Sequence, residues 1–550
     1  MRLIFTRNVL NASCITPLSD EKLFLLIFIS LFCGSIFAQT TVYKGVVTDA
    51  EYNTPVAYAA VYLEKGAVGA VADNVGSFSL EVPDSLLESN LVIIREGFFI
   101  KRVAPDSVDT GNLHIALQPD DLEQQAIALL DSVNAHQKPF VRFLGKAVKF
   151  VLNDWVPLGN PETNKFDFGR LQTLPTYNPI EGVRLRAGIA SNSRLSPHFF
   201  VKGYAAYGFK DQKFKYRGEV IYSFDKKAYH EDEFPKNNLR LVYENDLYSP
   251  GEMHPRSAND LLLVTYRRSV NEATYRNFAE INDEREYKNG FARTLWLRKS
   301  RFVSQGELAF ERDVADMRIP YEELNTSEAG ILLRYSVREA YVQQKRKRKP
   351  VEMESPVFFL SHSIGFNGFL GGEAAYHRTE FSAQKRFLLN RFGRLDAVGE
   401  FSKVWNAVPF PLLVYPNQRF KHHIESNAFF LNRALEFVAD EQYTIRTTFV
   451  GDDFILSKVP FFDDLGIKEL ISLRASYGKL SAKNDPLLSS SSLIYNLPAA
   501  SFRYGSAPYV EGTFGITNIL GLLRVEYVHR FTYRDHPDAL LGKVRVDVTL

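Results

Sequence analysis

The chain has almost no cysteine. Its 550 residues include two, Cys14 and Cys33, and both precede the point at which the sequence predicts cleavage. The mature chain would therefore contain none, which excludes disulfide bonds, thiolate metal sites and a cysteine nucleophile.

Long apolar runs are also scarce. The only strongly apolar run is residues 23–37, preceded by Lys22 and leading to Ala38. It is too short to span a bilayer as a helix, so residues 1–38 are predicted to be a secretory signal peptide cleaved after Ala38. No later run reaches about 20 apolar residues, which excludes helical membrane spans but not a barrel of strands. The formal net charge of +2 gives no indication of a nucleic-acid partner.

The motifs of common catalytic and nucleotide-binding sites are missing as well. The sequence contains no G-x-S-x-G, P-loop or H-E-x-x-H. One H-x-x-E occurs, from His377 to Glu380, but in a strand such residues face opposite sides and cannot bind one metal ion. We therefore expect no catalytic, cofactor-binding or metal-binding residues and no enzymatic activity. The alternative is an envelope hydrolase resembling zinc peptidases, which stoichiometric bound zinc would favour.

What the sequence does contain is strand alternation. Between residues 183 and 224, three runs of about 8–12 residues alternate apolar and polar side chains, as Val183 and Leu185 do with Arg184 and Arg186. A bilayer-crossing strand needs about 9–11 residues, whereas a soluble strand usually has about 5–6. Aromatic residues near the ends of the runs are typical of outer-membrane barrels. The pattern favours a transmembrane barrel over the alternative, a soluble β-sandwich that buries the apolar faces against a second sheet.

The alternation continues through residues 165–550. At about 20–25 residues for each strand and its loop, this range predicts an antiparallel transmembrane β-barrel of roughly 14–18 strands. The polar faces would point into the lumen, and their mixed charges predict ion pairs that leave a narrow or plugged barrel. A TonB-dependent receptor does not fit, because it needs a plug domain and about 22 strands. The residues of the predicted lumen ion network are Arg184, Arg186, Lys215, Arg217, Glu219, Arg240, Glu244, Arg334, Arg338, Arg394, Glu400, Arg446, Arg474, Arg524 and Glu526.

Residues 40–119 form a separate unit, whose short strands and Gly, Pro and Asp turns are typical of a small β-sandwich. Three motifs occur in order: G-x-V-x-D from Gly45, P-V-x-x-A-x-V from Pro55 and D-x-x-G-x-F-x-L from Asp73. The unit resembles the carboxypeptidase-regulatory-like, or prealbumin-like, domain. That resemblance implies an accessory module without catalytic residues. We expect it to present a docking surface to an unknown periplasmic protein.

A short linker separates the two parts. Leu122, Ile127 and Val133 recur at helical spacing, so residues 120–164 are predicted to be a helical linker. Two interpretations stay open for residues 140–152: an amphipathic helix at the membrane surface, or a helix packed on the sandwich or in the barrel mouth. The predicted fold class is all-β.

A second resemblance covers most of residues 165–550. Residues 177–186 (YNPIEGVRLR), 203–208 (GYAAYG) and 508–511 (PYVE) are similar to signatures of a Bacteroidota envelope family, the domain of unknown function 5686 (DUF5686). The resemblance implies a cell outer-membrane location, with lipid around the barrel and the N-terminal domain in the periplasm. The family has no assigned biochemistry, so we expect only a role in envelope transport, binding or assembly. Leu550 departs from the aromatic residue that usually ends such barrels.

Overall fold

The computed structural model describes most of residues 40–548. The residues of this range outside the description are 51–53, 57–58, 65–67, 74, 96–97, 99–100, 105–112, 119–154, 161–162, 170–174, 249, 251–270, 315–316, 337–340, 344–347, 351–354, 390–391, 417–428, 434, 453, 460–466, 500 and 520–522. The predicted signal peptide and most of the predicted helical linker therefore lie outside the described residues. Within the described residues, no helix has both the length and the apolar character needed to cross a membrane.

Residues 40–118 fold into a small β-sandwich. Its elements are β1 (Thr40–Asp49), β2 (Ala60–Leu63), β3 (Gly69–Val71), β4 (Ser77–Pro83), a 3-10 turn (Asp84–Leu86), β5 (Leu91–Ile94), β6 (Lys101–Val103) and β7 (Leu113–Leu117). One sheet has the order β4-β1-β7 and the other the order β3-β2-β5-β6. Val47 of the first sheet and Val61 and Ile93 of the second belong to one buried apolar cluster. The two sheets therefore pack face to face.

The third sequence motif forms the tight turn between β3 and β4. Asp73 Oδ1 accepts hydrogen bonds from the backbone N–H groups of Val75 (2.9 Å) and Ser77 (2.8 Å). Gly76 has a φ of 75°, and a Cβ at this position would lie 2.4 Å from the carbonyl oxygen of Val47. Glycine is therefore required by both the backbone conformation and the available space.

Most of the remaining chain forms one large sheet, with two hairpins (β17 with β18, β20 with β21) in its connections. The strands are β8 (Trp155–Pro157), β9 (Phe166–Gly169), β10 (Pro175–Asn178), β11 (Gly182–Ser191), β12 (Phe199–Gly208), β13 (Phe214–Ser223), β14 (Asn237–Tyr248), β15 (Glu272–Glu286), β16 (Phe291–Gly306), β17 (Phe310–Val314), β18 (Met317–Tyr321), β19 (Glu323–Ser336), β20 (Tyr341–Gln343), β21 (Arg348–Pro350), β22 (Val357–Gly365), β23 (Tyr376–Leu388), β24 (Gly393–Val404), β25 (Glu441–Gly451), β26 (Lys468–Lys479), β27 (Tyr509–Ile519), β28 (Leu523–Arg530) and β29 (Gly542–Val548). Three 3-10 turns lie at Phe369–Gly371, Phe410–Leu412 and Leu456–Lys458.

The large sheet closes on itself. Within the described residues it has 18 strands, in the order β10 to β16, β19, β22 to β29, β8 and β9. β9 then pairs with β11, which completes the ring. β9 and β10 lie antiparallel along two different halves of β11, so together they occupy one strand position. The predicted antiparallel barrel is confirmed. Its 18 strands fill 17 positions of the ring, because β9 and β10 share one position, and both numbers lie within the predicted range of 14–18.

The barrel sheet begins earlier in the chain than the sequence predicted. Trp155 and Val156, which fall in the range predicted to be a helical linker, form part of β8 and pair with Gly169 and Phe168 of β9. The helical spacing that suggested the linker lies among residues 122–133, well before β8. The sheet therefore starts at Trp155 instead of residue 165.

Side chains of the barrel alternate between an inner and an outer face, and the polar ones lie inside. In β11, Arg184 and Arg186 are buried, whereas Leu185 is 50% exposed. In β14, Arg240 is buried and Leu241 is 49% exposed. Proteins in water bury their apolar side chains preferentially. The barrel is therefore inverted relative to the N-terminal sandwich, whose core is apolar.

The two ends of the barrel differ in the length of their connections. One end has connections that average about nine residues, and we call it the short-turn end; they are 158–165, 192–198, 224–236, 287–290, 337–356, 389–392, 452–467 and 520–522. The other end has connections that average about 17 residues, and we call it the long-loop end; they are 179–181, 209–213, 249–271, 307–322, 366–375, 405–440, 480–508 and 531–541. β9 begins and β29 ends at the short-turn end, because Phe166 pairs with Ser191 and Val548 pairs with Leu523.

Candidate functional site in the lumen

The first ion-pair cluster of the lumen joins β11, β12 and β14. Arg184 donates two hydrogen bonds to the two carboxylate oxygens of Asp246, both 2.7 Å long. The Tyr204 hydroxyl donates to the same carboxylate at 2.5 Å. The guanidinium carbon of Arg186 lies 3.6 Å from the centre of the Tyr204 ring. The bidentate geometry is the strongest arrangement that an arginine and a carboxylate can adopt.

A second cluster surrounds the turn that leads into β11. Glu181 Oε1 lies 2.9 Å from Lys215 Nζ and 3.4 Å from Arg184 Nη1. Lys215 also donates to Asp211, which accepts a further hydrogen bond from the Tyr275 hydroxyl. The turn itself is fixed because Asn178 Oδ1 accepts the backbone N–H of Glu181 at 2.8 Å. The distinctive stretch 177–186 therefore both forms a turn and supplies a buried carboxylate to the lumen.

A third cluster alternates charges along β13, β14 and β15. Arg217 contacts Glu219 at 2.7 Å and Glu244 at 2.6 Å. Arg240 contacts the other oxygen of Glu219 at 2.6 Å, and Arg276 lies 3.4 Å from Glu244. All five side chains are buried, and a buried charge is tolerated only when it is paired and hydrogen-bonded. These strands carry a continuous ionic lining.

The connection 224–236 at the short-turn end folds onto this lining. Asp232 contacts Arg240 at 3.2 Å and Lys236 at 2.8 Å, while Glu231 contacts Lys202 at 2.7 Å. Burial alone would raise the pKa of Asp232, but Lys236 and Arg240 hold that pKa well below its usual range. The connection is therefore anchored by carboxylates that stay ionised at neutral pH.

The opposite wall of the lumen is occupied by part of the connection 405–440, which we call the inserted segment (residues 429–433). Glu511 of β27 is fully buried and accepts the backbone N–H groups of Phe430 (2.9 Å), Leu431 (2.7 Å) and Asn432 (3.1 Å). The Tyr509 hydroxyl donates to the same carboxylate at 2.6 Å. One strand carboxylate therefore holds a loop inside the barrel.

Arginines of β25, β26 and β29 surround the inserted segment. Phe430 lies with its ring centre 3.5 Å from the guanidinium carbon of Arg545 and 4.5 Å from that of Arg474. The corresponding distance between Phe429 and Arg446 is 5.7 Å. A guanidinium cation close to an aromatic ring is attracted by the π-electrons of the ring, and more strongly where bulk water is absent.

A cavity of about 280 Å³ is lined by wall strands from β13 to β25 and by residues 411–415 of a long loop. Charged residues such as Arg298, Glu328 and Arg378 line one part of it, and hydroxyl-bearing residues such as Ser361 and Thr444 line another. Polar and apolar surface contribute almost equally to the cavity wall. The polar part is suited to a small hydrophilic ligand, because many donors and acceptors converge on it.

An apolar cluster bounds this cavity on the side of the long-loop end. It brings together Phe310, Phe410 and Tyr495 from three different connections, with the Phe310 ring centre 5.8 Å from that of Phe410 and 5.7 Å from that of Tyr495. Residues 413–415 and Tyr376 belong to both the cluster and the cavity wall. The long loops therefore pack against one another and against the lumen.

The structure brings most residues of the predicted lumen network together, although in separate clusters. Seven of these residues belong to the clusters of β11 to β15. On the opposite wall, Arg446 pairs with Glu400 (2.7 Å) and Arg524 pairs with Glu526 (2.6 Å). Arg474 contacts Thr513 at 2.8 Å. Arg334 and Arg394 are half-buried and belong to none of these clusters, and Arg338 lies outside the described residues. The seven are Arg184, Arg186, Lys215, Arg217, Glu219, Arg240 and Glu244.

Several lumen residues were missed by the sequence reasoning. Arg276 and Glu328 lie on the inner faces of β15 and β19, and the alternation of those strands would have identified them. Glu511 sits in the family signature 508–511, but nothing local shows that it binds a loop. The inserted segment has no periodic pattern at all.

The H-x-x-E pair is separated by the sheet. His377 is exposed on the outer face and lies 3.4 Å from His362, whereas Glu380 lines the lumen cavity and contacts Arg378 at 3.0 Å. The prediction that the two side chains face opposite sides is confirmed, so one metal ion cannot bind both.

Comparisons with known proteins give one family and several distant barrels. The model of the "Family of unknown function (DUF5686) C-terminal domain" matches residues 158–482. No curated protein matches the sequence. Among solved structures, the chain is similar to BamA from Haemophilus ducreyi lacking POTRA domains 1–3, with 10% identity and a TM-score of 0.38 over 74% of this chain and 77% of that one. It is also similar to CdiB from Acinetobacter baumannii (10% identity, TM-score 0.36, 80% of this chain and 63% of that one). It is also similar to OccK11 (OpdR) from Pseudomonas aeruginosa, with 8% identity and a TM-score of 0.25 over 67% of this chain and 88% of that one.

Proposed function

The chain belongs to the DUF5686 family, and from this premise we propose that it is an outer-membrane β-barrel with a filled lumen, which acts in envelope transport, binding or assembly. The observation that carries the proposal is the inverted barrel. An apolar outer face 40–50% exposed on many residues would be unfavourable in water, whereas lipid stabilises it.

Exposed aromatic residues at both barrel ends support this location. In outer-membrane barrels, aromatic girdles lie at the two membrane interfaces. The exposed aromatic side chains are Phe199, Tyr222, Phe224, Tyr335 and Phe392 towards the short-turn end, and Tyr177, Phe209, Phe214, Trp405 and Phe531 towards the long-loop end. The surrounding partner of the outer face is therefore proposed to be outer-membrane lipid.

The orientation follows from the connections. Outer-membrane barrels have short periplasmic turns and longer extracellular loops. We therefore place the short-turn end in the periplasm. We propose that the N-terminal sandwich lies on the same side, as the DUF5686 resemblance implies. The three sequence motifs support assignment of residues 40–119 to the prealbumin-like domains, and the DUF5686 signatures support a bacterial source in the Bacteroidota. This unit is proposed to dock a periplasmic protein.

The filled lumen supports binding or assembly over free diffusion of solutes. Ion pairs occupy the wall of β11 to β15, the inserted segment occupies the opposite wall, and the apolar cluster lies towards the long-loop end. We propose that the protein is not an enzyme. No specific ligand is assigned to the cavity under this proposal.

Membrane fractionation combined with a heat-modifiability gel tests the location. We expect the full chain in the outer-membrane fraction, with unheated protein migrating differently from heated protein. Protein found in the soluble fraction would contradict the proposal.

Planar-bilayer recordings test the filled lumen separately. We expect a small conductance. A large porin-like conductance would refute the filled lumen, while the proposed location would still stand.

A further inference from the structure

Two lumen arginines stand directly opposite each other. Arg446 of β25 and Arg474 of β26 are register partners, and each is 1% exposed. Directly opposite residues on one face of a sheet have Cβ atoms about 4.5–5.5 Å apart, and like charges at that spacing repel. Two buried cations at this distance need negative charge close by. We call these two residues the arginine pair.

The arginine pair has more hydrogen-bond donors than the protein satisfies. Arg446 uses Nη2 on Glu400 (2.7 Å), while its Nε and Nη1 have no partner in the described residues. Arg474 uses Nη1 on Thr513 (2.8 Å), while its Nε and Nη2 have none there. Unsatisfied buried donors are costly, and guanidinium N–H groups are especially suited to oxyanions.

The nearby carboxylates are engaged elsewhere. Glu511 accepts the backbone N–H groups of the inserted segment. Glu526 lies 2.6 Å from Arg524 and 3.3 Å from Arg545, and Glu400 meets only Arg446 of the pair. None of these carboxylates lies within 4.0 Å of Arg474 in the described part of the chain. They moderate the local charge without satisfying the free donors.

The aromatic residues cover the arginines without blocking those donors. Phe430 and Phe429 lie against the guanidinium groups of Arg474 and Arg446, at 4.5 Å and 5.7 Å. An aromatic ring close to a guanidinium attracts the cation but offers no strong hydrogen-bond acceptor to its N–H groups. The nitrogen atoms that have no partner in the described residues therefore stay without one beside these rings.

We propose that the arginine pair binds a phosphate group of a soluble ligand that enters through the lumen cavity. Glu400 and Thr444 line that cavity. Arg446 forms an ion pair with Glu400 and lies two residues after Thr444 on β25. Two nitrogen atoms of each arginine, four in total, have no acceptor in the described residues. A phosphate group has more oxygen atoms to accept their hydrogen bonds than a carboxylate has. The pair faces the lumen, so lipid around the outer face does not reach it. This inference rests on the proposed function, because the ligand must reach a lumen that is enclosed by a barrel in the outer membrane.

Isothermal titration of the full-length chain in detergent with inorganic phosphate tests the inference, at constant ionic strength in a chloride background. We expect saturable one-to-one binding, with acetate binding more weakly. Arg446→Gln and Arg474→Gln should each weaken phosphate binding about tenfold or more, as expected for a lost charge-assisted hydrogen bond. Arg474→Lys keeps the charge but loses the planar fork, and should also weaken binding. Arg301→Gln, an exposed arginine on the outer face, is the matched control and should bind as the parent does.

Absence of saturable phosphate binding by the parent chain would overturn the inference. So would equal binding of acetate, or undiminished binding by the double variant Arg446→Gln/Arg474→Gln. Heat-modifiability of each variant shows whether the barrel has folded. A chain that fractionates with the outer membrane and is heat-modifiable, but does not bind phosphate, would leave the proposed function standing and remove only this site.

Discussion

Replacing Glu511 by glutamine should release the inserted segment from the lumen. The carboxylate accepts three backbone hydrogen bonds of 2.7–3.1 Å from consecutive residues, in a fully buried position. A hydrogen bond to a charged group contributes about 1.5–3 kcal/mol, and a neutral one about 0.5–1.5 kcal/mol. Weakening all three therefore costs on the order of 3–4 kcal/mol of docking free energy, which corresponds to a few hundredfold in the docking equilibrium constant.

Hydrogen exchange measured by mass spectrometry in detergent would report this release directly. Peptides that contain residues 430–432 should exchange much faster in Glu511→Gln than in the parent chain, because their N–H groups lose the acceptor that protects them. Glu323→Gln makes the same chemical change at a less buried glutamate on β19 and should leave these peptides unaffected. Equal exchange in the parent and Glu511→Gln would refute the role assigned to Glu511.

Three further predictions concern the barrel. Arg184→Gln removes one partner of the buried pair with Asp246 and should lower the free energy of unfolding by about 3–5 kcal/mol in urea titrations, whereas Arg184→Gln/Asp246→Asn should lose less than the sum of the two single changes. Leu241→Arg places a charge on the outer face and should cost about 2–4 kcal/mol if it lies at the bilayer midplane, seen as a smaller heat-modifiable fraction in lipid vesicles than for Leu241→Ala. Because the pKa of folded Asp232 lies below its unfolded value of about 3.9, its stabilisation is present above that value and is lost as the pH falls further. The thermal midpoint of the parent should therefore fall more steeply below about pH 4 than that of Asp232→Asn, and parallel curves would contradict the assignment.

The barrel wall could be predicted from the sequence because its signal is local. Alternation of Leu185 with Arg184 and Arg186 depends only on the two-residue period of a strand, and it already tells which side chains share a face. The turns of the sandwich were equally accessible, since Asp73 and Gly76 act within a few residues of each other. What alternation leaves open is which charges meet.

The lumen contacts depend on strand register and on loop placement, neither of which is local. Arg184 meets Asp246 across two intervening strands, so the pair forms only once β11 to β14 are aligned. The inserted segment is held by a residue some eighty positions further along the chain. A run such as FFLNR has no period that would indicate a position inside a barrel, and its location emerges only from the folded structure.

The way the ring closes has a consequence for biogenesis. β8 and β9, with three and four residues, supply the joint between the beginning of the barrel and β29, whereas a pair such as β14 and β15 aligns twelve residues. This joint brings together the two ends of the barrel sequence, so its contacts form between residues far apart in the chain. Contacts between distant residues carry the largest cost of loop closure, and this joint is made by some of the shortest strands of the wall. We therefore expect the joint to form late in the folding of the barrel.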